Sequence, residues 1–213
     1  MDTKIKAILF DYGEVLTAWV DREAALARQA SLAAKLGVPV QELWHYLFGS
    51  EIAHRWFMGE IDQDQFWRET LAPHGLADSD TAVAFGQELF QSVNRVNPEM
   101  IDLLRKLHGP YKLAVLSNAS WTEQELTERL ARQIGQDGLF TAVMTSYSLG
   151  YAKPNPAIFL AALERLEVAP EEAVFTDDLA PSAAAAARLG IHAHHFTTPA
   201  AFKDFLGELG ISL

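Results

Sequence analysis

Cysteine is absent, so disulfides, thiolate metal sites and a cysteine nucleophile are excluded. That absence by itself says nothing about compartment. Long apolar runs are missing too. Apolar residues make up 49% of the chain, yet no window approaches the run of about 20 that a membrane-spanning helix needs, so no membrane partner is expected. Basic residues are the minority, with 17 Lys and Arg against 28 Asp and Glu and a formal net charge of −11. This disfavours nucleic acid as a partner, because binding a phosphate backbone relies on a basic face. A cation cofactor fits the acidic balance better. The start, Met1-Asp2-Thr3-Lys4-Ile5-Lys6, runs directly into a strand-like segment with no apolar h-region, the pattern expected of a cytoplasmic protein.

What is present has the rhythm of an α/β fold. Ile5 to Phe10 is an apolar run without alternation, as expected for a parallel strand covered on both faces. Similar runs recur at Leu113 to Leu116, Ala142 to Met144 and Ala173 to Phe175, each followed by polar residues and then helical periodicity. Between the first run and the second the chain reads almost wholly helical. Predicted helices cover Asp21 to Leu36, a segment from Pro39 through Leu47 closed by Gly49, Glu51 to Met58, Gln63 to Leu71, and a stretch capped by Ser79 or Asp80 and running through Phe90. Asn97 and Pro98 then make a good helix start. The expected division is residues 1–17 with 96–213 as the sheet-bearing domain and residues 18–95 as a helical insertion.

In open parallel sheets ligands bind beyond the carboxyl ends of the strands. Four polar groups fall there: Asp11, Ser117-Asn118, Lys153 and Asp177-Asp178. A nucleophilic carboxylate, a hydroxyl beside backbone N–H groups, an ammonium and an acidic pair are the parts needed to transfer a phosphoryl group. Asp11 is the expected nucleophile. Ser117 is placed to bind a phosphoryl oxygen, and Lys153, stiffened by Pro154 and Pro156, to offset charge. Adjacent carboxylates at 177 and 178 repel unless a cation shares them, which favours Mg²⁺. Trp19, Trp44, Trp56, Phe57 and Trp67 read as core residues at helical spacing. His192, His194 and His195 read as a strand end; alternation puts only His192 and His194 on one face, too few for a metal site.

These motifs, in this order, resemble the haloacid dehalogenase-like hydrolase superfamily, and specifically its helical-cap, phosphatase-like branch. The resemblance rests on Leu9-Phe10-Asp11-Tyr12-Gly13-Glu14-Val15-Leu16, Leu116-Ser117-Asn118, Lys153-Pro154-Asn155-Pro156-Ala157-Ile158-Phe159, and Val174-Phe175-Thr176-Asp177-Asp178 with Ala187-Arg188-Leu189-Gly190 behind it. Gly59-Glu60-Ile61-Asp62 followed by Phe66-Trp67 is similar to the cap of its sugar-phosphate branch. The resemblance implies a Rossmann-like three-layer core with an all-helical cap inserted after the first strand. It implies Asp11 as nucleophile, Ser117 and Lys153 as catalytic and phosphate-binding groups, Asn118 as a substrate contact, and Mg²⁺ bound by Asp11, the Gly13 carbonyl and Asp178 with Asp177 in support.

Two departures bear on turnover. Phosphatase members carry a second Asp two residues after the nucleophile, as acid and then base, where this chain has Gly13. Glu14, Asp21, Glu51 and His54 are the candidates to replace it. Ser182 stands where Asp or Asn often supports the metal ligand. Three activities stay open: a Mg²⁺-dependent phosphatase acting on a small phosphorylated metabolite, a 2-haloacid dehalogenase-type hydrolase, and a silent protein that binds a phospho-ligand or partner. The dehalogenase pattern has Tyr two residues after the Asp and no acidic pair; here Tyr12 follows Asp11 directly.

Overall fold

The apolar runs become strands of one parallel sheet. This computed structural model describes residues 4–18, 22–76, 78–91 and 95–213, and the chain divides into two units, Met1–Ala18 with Val96–Leu213, and Trp19–Arg95. In the first unit the strands are β1 (Ala7–Phe10), β4 (Lys112–Ser117), β5 (Ala142–Thr145), β6 (Ala173–Asp177) and β7 (His192–His195), in the order β5-β4-β1-β6-β7. The first strand starts at Ala7 rather than Ile5. Two further short strands, β2 (Thr17–Ala18) and β3 (Arg95–Val96), form a separate two-stranded sheet. Every neighbouring pair in the main sheet is parallel.

Alternation along the buried strands feeds two apolar layers. Ile8, Phe10, Leu113, Val115 and Val174 point to one side, where they pack on α6 (Pro98–Leu107), α7 (Glu123–Ile134) and α11 (Pro199–Glu208). Ala7, Leu9, Ala114, Leu116 and Phe175 point to the other, against α9 (Pro156–Leu166) and α10 (Ala180–Arg188). The architecture is therefore a three-layer Rossmann-like core, which accounts for strands that are apolar at every position. Because β1 lies between β4 and β6, the connections from the sheet's centre leave in opposite directions. That switch point is where such sheets open a crevice at the carboxyl ends of their strands.

Among the described residues the second unit, apart from Arg95 of β3, is built on helices: α1 (Arg22–Leu36), α2 (Leu43–Phe48), α3 (Glu51–Phe57), α4 (Gln63–Leu71) and α5 (Ser79–Gln91). Ser50 caps α3 by accepting from Ala53 N, and Asp62 caps α4 by accepting from Gln65 N. At the start of α5 it is the Asp78 carboxylate that accepts, from Thr81 N at 2.9 Å, so the acceptor lies one residue before the expected Ser79 or Asp80. Trp56, Phe66 and Trp67 are fully buried in this unit's core, with the Trp56 and Phe66 rings stacked at 4.0 Å. Trp44 and Phe57 pack against the same core. Gly86 brings α5 close to α4, since a Cβ there would stand 2.5 Å from the Trp67 indole nitrogen. Trp19 and Asp21 lie outside the described residues. Among the described residues no helix is long and apolar enough to cross a membrane.

Candidate active site

Asp11 extends β1 by one residue, and its backbone N–H donates to Thr176 O at 2.9 Å. Asp11 is thereby tied to β6, the strand that ends in Asp177. After Asp11 the chain makes a tight turn over Tyr12–Leu16 in which Gly13 is extended (φ −69°, ψ 136°) and Glu14 is left-handed (φ 56°, ψ −7°). Thr17 holds the turn: its backbone N–H and its Oγ1, at 3.2 Å, both donate to Tyr12 O. Left-handed backbone in a residue with a Cβ costs about 1 kcal/mol, so the turn depends on what surrounds it.

Lys153 is the centre of the charged cluster. Its Nζ donates to Asp11 Oδ1 at 2.7 Å and to Asp177 Oδ2 at 2.6 Å, and all three side chains are buried. Burial lowers the pKa of the Lys153 ammonium, but the carboxylates of Asp11 and Asp177 outweigh it and hold it above the ordinary lysine value. Asp177 is engaged on both oxygens, because Oδ1 accepts from Leu179 N at 2.8 Å. Asn118 fixes the backbone beneath Lys153: its Oδ1 accepts from Lys153 N at 2.7 Å, and its Nδ2 donates to Lys153 O at 2.8 Å. The chain after β4 also meets the start of the short helix α8 (Ser146–Leu149), where Ala119 N donates to Ser146 Oγ at 3.2 Å. Ser117 ends β4, buried, level with Thr145 of β5.

Asp178 completes the acidic face. One carboxylate oxygen from each of Asp11, Asp177 and Asp178 lies within 4.8 Å of the others. Burial pushes the Asp178 carboxyl up, the like charges of Asp11 and Asp177 add to this, and its pKa reaches about 6. Three carboxylates facing a single ammonium make a hard, oxygen-rich donor set with negative charge in excess, the composition that suits a divalent cation such as Mg²⁺. A cation held there would offset the like-charge repulsion that adds to the effect of burial on Asp178.

The residues proposed as acid or base stand as follows. Gly13 leaves room for a Cβ beside Asp11, whose Oδ2 would be its nearest neighbour at 3.8 Å. Glu14 is exposed. Glu51 and His54 are exposed on α3 of the helical unit. Ser182 is buried on α10, its backbone N–H donating to Leu179 O. The three histidines of β7 bond separately: His192 to Glu171 O, His194 to Thr176 Oγ1 and His195 to Asp178 O. Sequence reasoning overlooked one contact, between the Tyr12 hydroxyl and Arg129 Nε at 2.9 Å. They are 117 positions apart, and no local pattern signals such a pairing.

Comparison with known proteins agrees with this geometry. The chain is 31% identical over 150 residues, 63% of its length and 59% of the relative's, to haloacid dehalogenase-like hydrolase domain-containing protein 3 of Xenopus laevis. It is 30% identical over 108 residues, 51% of its length and 54% of the relative's, to the fructose-1-phosphate phosphatase YqaB of Escherichia coli K12. The matches span between 7% and 59% of the curated relatives' own lengths. Among solved structures, a HAD family enzyme of Bacteroides thetaiotaomicron in complex with magnesium and inorganic phosphate superposes with a TM-score of 0.69 at 23% identity, covering 91% of this chain and 94% of that one. The likeness shows a common fold. The family model for haloacid dehalogenase-like hydrolases matches residues 5–190, a span that takes in every strand-end group of the charged cluster, and the chain belongs to that family.

Proposed function

We propose that the protein is a Mg²⁺-dependent phosphatase that hydrolyses a small phosphomonoester, a sugar phosphate or similar metabolite, through an aspartyl phosphate on Asp11. The observation that carries this reading is the Lys153 ammonium held between Asp11 and Asp177, with Asp178 in the same cluster, at the switch point of the sheet. Asp11, the Gly13 carbonyl and Asp178 would hold Mg²⁺, with Asp177 in support by orienting Lys153. When bound, the ion offsets charge on the phosphoryl oxygens.

An Asp11 carboxylate oxygen bonds to phosphorus as the ester P–O bond breaks, and the leaving oxygen takes its proton from solvent. Water then attacks the phosphorus of the acyl phosphate and gives up a proton to solvent, the P–O bond to Asp11 breaks, and inorganic phosphate leaves with the Asp11 carboxylate restored. Ser117 Oγ and Lys153 Nζ bind phosphoryl oxygens, while Asn118 contributes its backbone N–H, its side-chain amide being engaged by Lys153. The YqaB relative's name, and the magnesium and phosphate bound in the Bacteroides enzyme, support the same chemistry.

A second reading, a phospho-ligand binder without turnover, is favoured by Gly13, which provides no acid beside Asp11. A screen over sugar phosphates, nucleotides and p-nitrophenyl phosphate, with and without EDTA, separates the two. The proposal expects EDTA-sensitive release of phosphate that Asp11→Asn abolishes. Metal-independent activity, or activity that survives Asp11→Asn, refutes it. Halide release from 2-haloacids with no phosphoester turned over favours the dehalogenase chemistry instead.

A further inference from the structure

Tyr12 ties the turn after β1 to a distant helix. It follows Asp11 directly and is buried, and its hydroxyl accepts from Arg129 Nε of α7 at 2.9 Å. The Arg129 guanidinium carbon stands 4.8 Å above the Trp121 ring, and Trp121 meets the Tyr12 ring edge-on at 6.0 Å. Each of the three residues therefore touches the other two, and all belong to the sheet-bearing unit.

Packing alone does not require this arrangement. A buried phenol needs a single hydrogen-bond partner, which a backbone carbonyl supplies without bringing in a cation. Here the partner is a guanidinium, and the aromatic face of Trp121 offsets part of its desolvation. The turn it reaches is the strained one, with Glu14 at φ 56°. Tyr12 is thus gripped at both ends, at its carbonyl by Thr17 and at its hydroxyl by α7. The residues on either side of it, Asp11 and Gly13, carry the side-chain carboxylate and the backbone carbonyl on which the proposed chemistry depends.

We propose that Arg129, steadied by Trp121, is a positioning residue that fixes the Asp11-Tyr12-Gly13 turn through the Tyr12 hydroxyl. The inference rests on Asp11 being the reactive carboxylate. Arg129 acts through Tyr12, so its loss displaces the nucleophile while Ser117 and Lys153 keep their own anchors in β4, Asn118 and Asp177. It therefore lowers kcat and spares KM.

With p-nitrophenyl phosphate and Mg²⁺, Tyr12→Phe and Arg129→Met each lower kcat about tenfold, with KM changing by less than about twofold. The double variant is no slower than the slower single one, because both remove the same link. Arg129→Lys recovers part of the loss by keeping a cationic donor. Arg132→Met, on the exposed side of α7 where Arg132 pairs with Glu128, leaves kcat unchanged. Amide exchange of the full chain gives a second readout, rising at Gly13, Glu14 and Val15 in both single variants and staying unchanged along β4. Wild-type kcat in Tyr12→Phe, or losses that add in the double variant, overturns the proposal. If the wild-type protein turns over no phosphoester, the phosphatase reading fails, and exchange alone decides whether Arg129 holds the turn. Unchanged exchange then overturns it.

Discussion

The molecule has two dense clusters held by opposite physics. At the ends of β1 and β6, Asp11, Lys153 and Asp177 are buried charges stabilised by one another. In the helical unit, Trp56, Phe66 and Trp67 are buried rings stabilised by contact. Charge compensation is all or nothing, since taking away one partner strands the rest in a low-dielectric interior. Contact is graded, because a core loses or gains in proportion to volume. A change in the first cluster should therefore affect protonation, metal affinity and chemistry together. A change in the second should affect stability alone.

Four substitutions break or sharpen that contrast. Lys153→Met should abolish turnover and also cost about 3–5 kcal/mol of stability without metal, because Asp11 and Asp177 lose their shared counter-charge. Urea unfolding checks this, and added Mg²⁺ should return part of the stability. Gly13→Asp should act in the other direction on rate. The site accepts a Cβ, which would lie 3.8 Å from Asp11 Oδ2, and a carboxyl there should raise kcat on sugar phosphates by about 10²-fold or more. An unchanged rate would mean that another residue already supplies the proton.

Gly86→Ala tests the apolar cluster. Its methyl would collide with the Trp67 indole, an overpacking worth about 1–3 kcal/mol, seen as a lower unfolding midpoint of the helical unit. Asp178→Asn should have the smallest effect on stability and one that reverses with metal. The folded carboxyl titrates near 6, above its unfolded value. Its contribution is therefore fully present below the unfolded pKa and lost as pH rises through about 6. At pH 7 without metal, Asp178→Asn should raise stability by about 1 kcal/mol after allowance for solvent screening. In the wild-type protein Mg²⁺ affinity should fall as pH drops below about 6, measured by calorimetry, because the ion must displace the Asp178 proton.

The strands were legible because a parallel sheet buried on both faces leaves a signature at every position, as in Ala7-Ile8-Leu9-Phe10. Knowing that ligands gather at strand ends was then enough to group Asp11, Lys153 and Asp177-Asp178, which the fold does bring together. How these residues share bonds was not legible. Lys153 bridges two carboxylates, and the Asn118 amide embraces the Lys153 peptide. Both depend on how two loops meet across the sheet. Arg129 illustrates the limit: on α7 it looks like one more solvated charge, and only the folded chain brings it to Tyr12. The caps were partly legible, as Asn97 shows by accepting from Glu99 N. Asp78, by contrast, replaces its neighbours at the start of α5 because any of three adjacent polar residues satisfies the same local rule.

The backbone N–H of Asn97 donates to Leu16 O at 2.8 Å, which places the departure and the return of the chain one hydrogen bond apart. From the sheet's side, everything between these residues is a single loop with almost no span. The entropy of closing such a loop grows only with the logarithm of its length, so β1 and α6 carry nearly the same burden whether the excursion is a few residues or a full helical unit. The junction therefore works as a socket: the segment between Leu16 and Asn97 can be enlarged, trimmed or exchanged while the charged cluster of the sheet-bearing unit keeps its geometry.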